Sequence, residues 1–301
     1  MNPKQQHILK NIKLLAPQTD TPNLKENWQP VEPGALWGFN CFPDGQIQAY
    51  VHKSLDFSQL VVKARLIDAE LVMAYDQLTA LMDDDRDTTD IVTYWYGARS
   101  DTEEAGDFRV SDVRSLVAHN LWGSVRIKVF YPHSDIRNTV DLLSPVVSPY
   151  GLDLTDCGCD ITKYDGIIFP DMSAEGRFDK DLNYAGLQTP RYHCLKTRDQ
   201  VTGEVTRHEI PQLPKTGKFL VMDDLCDGGR TFIDIVTLGK NALSNSFDLF
   251  VPHGVFSNSA LGKLQRAGYE KIFTTNSYQD FNTEDQQDMI KRGILHVEKV
   301  F

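Results

Sequence analysis

Phe219-Leu-Val-Met-Asp-Asp-Leu-Cys-Asp-Gly-Gly-Arg-Thr-Phe232 is the stretch of this sequence that decides the fold. An apolar run feeds into Asp223-Asp224, then into a turn of small residues, and then into a helix that should start near Thr231. Such a segment is a strand end that presents two vicinal carboxylates beside a loop whose backbone N–H groups can converge on a phosphate. The N-terminus of the following helix adds donors and partial positive charge. A carboxylate pair in that place can hold sugar hydroxyls or, through water, Mg2+. The same residues also suit a plain strand-to-helix turn with capping aspartates, because Asp and Gly favour turns anyway.

The rhythm of strand and helix continues on both sides. Leu71, Tyr75, Leu78 and Met82 lie at helical spacing and predict a helix over 68–82, followed by the acidic turn 83–87 and a β-branched, aromatic strand over 91–95. Ser111 can cap a helix running to Leu121, Ser124–Tyr131 alternates as a strand, and Ile136, Val140 and Leu143 mark a helix over 135–143. Pro145, Pro149 and Gly151 interrupt the pattern, so a domain boundary is expected near 144–151, giving domains 1–146 and 147–301. Beyond it, strands are expected at 166–169, 191–196, 219–223, 248–252, 271–275 and 295–299, with helices over 231–243, 259–267 and 284–292. Strands alternating with helices imply an α/β fold of mainly parallel sheets flanked by helices.

The chain has 301 residues, with 31 Lys+Arg against 42 Asp+Glu and a formal net charge of -11. That balance argues against neutralising a nucleic-acid backbone. An anionic substrate would need local cations or a metal ion. No apolar run approaches the roughly 20 residues that span a bilayer, and no secretory signal is read at the N-terminus, so neither membrane nor export is expected. The five cysteines are an odd number, which suits a reducing, cytoplasmic compartment. Cys157-Gly-Cys159 has too few partners nearby to argue for zinc.

The segment VMDDLCDGGRT resembles the phosphoribosyl-diphosphate (PRPP) motif of type I phosphoribosyltransferases and of the ribose-phosphate pyrophosphokinases, the PRPP synthetases. Further segments favour the second family. Phe42-Pro-Asp-Gly-Gln46 resembles its Phe-Ser-Asp-Gly-Glu segment, and Tyr96-Gly-Ala-Arg99-Ser100-Asp101 its Tyr-Ala-Arg-Gln-Asp loop. Tyr131-Pro-His133-Ser is similar to Asp-Leu-His-Ala, Pro170-Asp171 with Arg177 to the Pro-Asp-x-Gly segment, Lys196-Thr-Arg198 to Lys-Arg-Arg, and Pro252-His253-Gly-Val-Phe-Ser257 to Thr-His-Gly-Val-Phe-Ser.

The resemblance implies two tandem phosphoribosyltransferase-type, Rossmann-like domains and an ATP-dependent diphosphokinase. In that family the β,γ-diphosphoryl group of MgATP moves to the 1-hydroxyl of ribose 5-phosphate, and AMP leaves. It further implies that Lys196 and Arg198 are catalytic, on a polar lid over 196–206 that contains Gly203. Phe42, Asp44, Gln46, Arg99, Ser100 and Asp101 would bind ATP, and His133 and Asp171 would hold Mg2+. Asp223, Asp224, Asp227, Gly228, Gly229, Arg230 and Thr231 would hold the ribose and its 5-phosphate. A homo-oligomer, dimer or hexamer, is implied, with Phe42–Gln46 reaching a neighbour's ATP site.

The sequence also departs from the family. The usual phosphate loop reads Asp-Thr-x-Gly-Thr, whereas here Asp227-Gly228-Gly229-Arg230-Thr231 loses a hydroxyl and gains a guanidinium. A planar fork beside a phosphate site suits a larger or more charged substituent. ADP-ribose is therefore a candidate acceptor, as in phage-encoded relatives that make ADP-ribose pyrophosphate during NAD+ rebuilding. Two other readings stay open: a PRPP-consuming type I phosphoribosyltransferase, and a non-catalytic regulatory relative of the synthetases.

Overall fold

The computed structural model describes residues 1–17, 28–82, 88–100, 104–105, 108–109, 111–113, 126–133, 147–151, 154–184, 189–198, 205–239 and 244–301. The chain divides into two compact units: Met1–Glu103 with Val110–Tyr150 and Phe301, and Glu104–Arg109 with Gly151–Val300.

In the first unit Asn2 caps helix α1 (Pro3–Asn11). The Asn2 side chain accepts from the Gln5 N–H while the Gln5 side chain accepts from the Asn2 N–H, and Pro3 sits in the first turn, where its missing N–H costs nothing. Strands β1 (Ile12–Pro17), β2 (Trp28–Pro30), β5 (Val61–Arg65), β6 (Thr89–Tyr94), β9 (Arg126–Phe130) and β10 (Val147–Tyr150) form a sheet in the order β10-β9-β6-β5-β1-β2. Its ladders run parallel from β10 to β5 and antiparallel from β5 through β1 to β2. Helix α2 (Ala69–Ala80) is capped by Asp68 and buries Leu71, Tyr75 and Leu78, the face expected from their spacing. Its Tyr75 hydroxyl donates to Asp90 Oδ2 at 2.9 Å, and Asp90 Oδ1 accepts from the Val62 N–H at 2.8 Å, so this buried carboxylate is satisfied. A hairpin, β3 (Trp37–Cys41) with β4 (Ile47–Val51), is tied to α1 by Gln5 Nε2 donating to the Phe39 carbonyl and to α2 by the Ala49 N–H donating to Gln77 Oε1.

The second unit begins with a small ribbon, β7 (Glu104–Ala105) with β8 (Phe108–Arg109). Its main sheet has the order β12-β11-β15-β17-β18-β19, and every ladder in it is parallel. The strands are β11 (Gly166–Phe169), β12 (Arg191–His193), β15 (Thr216–Met222), β17 (Ser244–Gly254), β18 (Tyr269–Thr275) and β19 (Leu295–Glu298), and the short β16 (Leu225–Cys226) adds to β17. Helices α3 (Met172–Tyr184), α4 (Arg230–Gly239), α5 (Ala260–Ala267) and α6 (Glu284–Lys291) fill the crossovers. Successive strand residues face opposite ways. Leu249 and Val251 join the cluster of Phe232, Ile235, Leu264 and Met289, while Phe250 meets Phe178 of α3 edge-on at 5.9 Å. Helices therefore cover both faces, and the strands read as continuous apolar runs.

The strand expected over 191–196 is interrupted. Cys194 is buried and its N–H still donates to the Phe169 carbonyl of β11. The chain then leaves the sheet as β13 (Leu195–Arg198), which pairs antiparallel with β14 (Val205–Glu209). The ends of the expected lid are thus a two-stranded ribbon rather than a loop, and Gly203 lies outside the described residues. The helices expected over 111–121 and 135–143 and the turn 83–87 also fall outside the described residues, apart from 111–113. Among the described residues, no helix is long and apolar enough to cross a membrane.

Candidate active site

In an open parallel sheet, ligands bind outside the carboxyl ends of the strands. In the second unit four adjacent strand ends supply polar residues there. β11 ends in Pro170-Asp171, β12 in His193, β15 in Asp223-Asp224 and β17 in the segment 255–259.

Asp171 stands just before α3, and its Oδ1 accepts from the Ala174 N–H at 3.0 Å and from the Ser173 hydroxyl at 2.7 Å. Asp223 and Asp224 follow β15. The Asp224 side chain is only 1% exposed and that of Asp223 18%, so two adjacent carboxylates share a nearly closed space. Arg177 lies between them, with Nη1 3.0 Å from Oδ1 of each. Its Nη2 donates to the Ser173 hydroxyl at 3.2 Å. Burial and then the charge of Asp224 hold the Asp223 carboxyl well above the ordinary carboxylate value, against the opposing pull of Arg177.

The turn 227–229 leads into α4. Gly229 has φ +79, in the left-handed region that favours glycine, so the chain reverses there to aim the first turn of α4 back over the strand end. A Cβ placed on Gly228 would meet nothing closer than Ser257 Oγ at 4.0 Å, so this position opens on space. The first N–H groups of a helix have no intrahelical acceptor, and they carry the positive end of its dipole. Asp227 Oδ1 accepts from the Ser257 hydroxyl at 2.5 Å, which joins this loop to the end of β17. Phe256, Asn258 and Ser259 all have positive φ, a local strain of the kind that gathers at functional sites. Arg230, the first residue of α4, is 84% exposed, and its Nε donates to Asp234 Oδ1 at 3.2 Å. The guanidinium therefore lies along the outside of the helix, paired one turn on. Thr231 is half-buried in the first turn.

Lys196 and Arg198 stand on β13, in register with His208 and Val205 of β14. His253 is buried, with Nδ1 2.8 Å from the Ser277 hydroxyl, and Ser277 donates to the Pro252 carbonyl. It belongs to the packing behind the site. A further cluster joins α3 to β12: Glu175 Oε1 accepts from Arg191 Nη1 at 2.6 Å, and Glu175 Oε2 is hydrogen-bonded to His193 Nε2. Arg191 and then His193 lower the Glu175 pKa, against some desolvation.

The remaining expected residues lie in the first unit. β6 and β9 are parallel neighbours, so the segments after them leave the same sheet edge. Arg99 and Ser100 follow β6 in an exposed turn, and His133 follows β9. Gly97 in that turn has φ +78, and a Cβ there would lie 2.6 Å from Val113 Cγ1, so both backbone and packing require glycine. Phe42, Asp44 and Gln46 form the tip of the β3–β4 hairpin, where the Phe42 ring is 46% exposed and Asp44 Oδ1 accepts from the Gln46 N–H. Asp101 lies outside the described residues. Arg177 entered the sequence reading only as a marker of its segment, and Ser257 only as the end of another. Glu175, Arg191 and His193 were not singled out at all, because partners 16 or 18 residues apart carry no spacing signal.

No protein-family model matches the chain. It is similar to a ribose-phosphate pyrophosphokinase of Corynebacterium efficiens, 29% identical over 198 residues that cover 63% of this chain and 59% of that protein. A ribose-phosphate pyrophosphokinase of Sulfurisphaera tokodaii is 31% identical over 83 residues, covering 27% of this chain and 28% of its own length. One of Sulfolobus acidocaldarius is 28% identical over 113 residues, covering 37% and 38%. These matches span less than two thirds of each relative. Among solved structures, the phosphoribosylpyrophosphate synthetase of Mycobacterium smegmatis aligns with a TM-score of 0.68 and 21% identity, over 88% of this chain and 86% of that one. The likeness shows a shared fold.

Proposed function

We propose that this divergent relative of the ribose-phosphate pyrophosphokinases is an ATP-dependent diphosphokinase, acting on the 1-hydroxyl of a ribose 5-phosphate moiety and releasing AMP. The observation that carries the reading is the end of β15: two vicinal carboxylates, one buried and one half-buried, beside the first turn of α4, at the carboxyl edge of a parallel sheet. Ionised, Asp223 and Asp224 are acceptor-only groups and suit a vicinal diol. Backbone donors at 227–231 suit the 5-phosphate. The acceptor 1-oxygen attacks the β-phosphorus of ATP, the bond from that phosphorus to the α-phosphate oxygen breaks, and AMP leaves while the hydroxyl proton passes to solvent. Phosphoryl transfer of this kind depends on positioning and charge neutralisation. Lys196 offers a point charge and Arg198 a planar fork to the transferred group.

Mg2+ takes oxygen ligands and is commonly bound by one or two carboxylates together with substrate phosphates. Among the described residues there is no group of three or more His, Cys, Asp or Glu placed to hold a metal, and the ion is here assigned a donor set shared with the nucleotide. Asp171 would supply a carboxylate oxygen, and His133 would act directly or through water. When bound, Mg2+ would supply positive charge that offsets the charge of the phosphates. Arg99, Ser100, Asp101 and the hairpin tip Phe42, Asp44 and Gln46 are assigned to ATP. The tip is assigned to a neighbouring copy's site in a homo-oligomer.

Ribose 5-phosphate is the first acceptor. ADP-ribose is a second, favoured by the open space at Gly228 and the exposed guanidinium of Arg230. The test is AMP release from MgATP with each acceptor, the products identified by mass spectrometry. A diphosphate gained by either acceptor supports the reading and names the substrate. Silence with both overturns it in favour of a transferase or a regulatory protein.

A further inference from the structure

Resting on the assignment of Asp223 and Asp224 to the acceptor ribose, we infer that Arg177 of α3 is the positioning residue that fixes this carboxylate pair for diol recognition. Its Nη1 stands 3.0 Å from Oδ1 of both aspartates, so one guanidinium nitrogen serves two carboxylates that otherwise repel each other. The Asp224 N–H also donates to Asp223 Oδ1, at 2.9 Å. The hydrogen bond to Asp223 Oδ1 and the 3.0 Å ion-pair approach to Asp224 Oδ1 hold both carboxylates against one group, which gives the pair a defined orientation toward a diol.

Arg177 is itself held. Its Nη2 donates to the Ser173 hydroxyl, one helical turn back, and Ser173 donates to Asp171. Glu175, on the same helix, is bound to Arg191 and His193 of β12, so the first two turns of α3 are tied to the neighbouring strand. The helix thereby carries the order of the β11 and β12 strand ends to the end of β15. Arg177 is a positioning residue and not a catalytic one, because it acts on substrate only through Asp223 and Asp224. A lysine would restore its charge but not its planar, two-nitrogen geometry, so it recovers part of the function.

The test compares the full-length wild type with Arg177→Ala and Arg177→Lys. Ribose 5-phosphate and, separately, inorganic phosphate are titrated by calorimetry without ATP, and KM for each substrate is measured alongside kcat. The expected result is ribose 5-phosphate binding weakened roughly 10- to 100-fold in Arg177→Ala, the scale of a lost charged hydrogen bond. Inorganic phosphate binding and KM for ATP should hold within about twofold, well under the roughly 1.4 kcal/mol of a tenfold change. Arg177→Lys should fall between the two. Unchanged ribose 5-phosphate binding in Arg177→Ala overturns the inference. So does an equal loss for phosphate and for ATP, or a lysine variant no better than alanine, because those are the marks of a general structural role. Should the wild type bind ribose 5-phosphate but transfer nothing to it, selective loss in Arg177→Ala still upholds the inference while the proposed reaction falls. A wild type that binds no ribose 5-phosphate overturns both.

Discussion

Asp248, in the middle of β17, and the pair Asp223–Asp224, at the end of β15, are carboxylates of one parallel sheet provided for in opposite ways. Asp248 Oδ2 accepts from the Tyr164 hydroxyl at 2.8 Å and lies 2.9 Å from Lys218 Nζ, while its Oδ1 accepts from the Lys271 N–H at 2.9 Å. One charge has a cation and two hydrogen-bond donors. At the carboxyl edge, two charges share one guanidinium. The first arrangement is what a buried charge requires for stability. The second sets two adjacent carboxylates at one guanidinium and raises the Asp223 pKa, an arrangement a fold gains nothing from unless a ligand uses it. Asp90 in the first unit follows the pattern of Asp248, with Tyr75 and the Val62 N–H as donors.

The largest expected effect separates activity from stability at the pair. Asp223→Asn and Asp224→Asn should each lower kcat/KM for the acceptor by ~100- to 1000-fold, the scale of a lost preorganised polar contact. Their thermal midpoints should stay level or rise. A fall in midpoint with activity per folded molecule retained would erase the contrast. Asp248→Asn should do the reverse, lowering unfolding free energy in urea by about 2–3 kcal/mol with kcat per folded molecule unchanged.

Smaller, and opposite in sign, are two dependences on pH. Asp223 has a raised pKa in the folded chain, through burial and then the charge of Asp224. Its contribution to stability is complete below its ordinary value of 3.8 and is lost as pH rises toward the folded value. The midpoint advantage of Asp223→Asn over wild type should therefore widen as pH rises above 4, a rise read by calorimetry. Glu175 has a lowered pKa, chiefly through Arg191, so it stabilises above its ordinary value of 4.5 and ceases to as pH falls through the folded value. Glu175→Gln should lose about 1 kcal/mol near neutrality and nothing in acid. Matching trends in the two variants would contradict the distinction.

The smallest effect concerns Arg230. Its pair with Asp234 is an exposed contact one helical turn apart, so Arg230→Ala should change unfolding free energy by less than about 0.5 kcal/mol. The informative readout is the ratio of turnover with ADP-ribose to turnover with ribose 5-phosphate. A fall in that ratio assigns the guanidinium to the longer acceptor, and a constant ratio leaves it a surface residue.

Local pattern made much of the fold legible. The apolar run before Asp223 is a strand, the small residues after it are a turn, and the helix begins at Arg230, one residue before its expected start. The amphipathic face of α2 was readable because burial of Leu71, Tyr75 and Leu78 follows a period of 3.6. The capping box at Asn2–Gln5, which starts α1, is a local signal of the same kind and lies outside the expectations above. The β3–β4 hairpin carries a weaker local signal, because its tip, Phe42-Pro-Asp-Gly-Gln46, stands out by resemblance more than by periodicity.

The break at Cys194 is of another kind. A run that looks like one strand divides because its two parts pair with different strands, 191–193 parallel to β11 and 195–198 antiparallel to β14. The sequence by itself determined which residue types stand at the strand ends, and so where carboxylates, phosphate-binding turns and cations could be offered. Periodicity and turn chemistry are local, and a single chain displays them. Only the tertiary structure decided that Arg177 meets Asp223 across 46 residues, that Asp227 meets Ser257 across 30, and that Tyr164 meets Asp248 across 84. Whether a buried charge is neutralised depends on which distant groups the sheet order brings within hydrogen-bond reach, and no spacing along the chain records that.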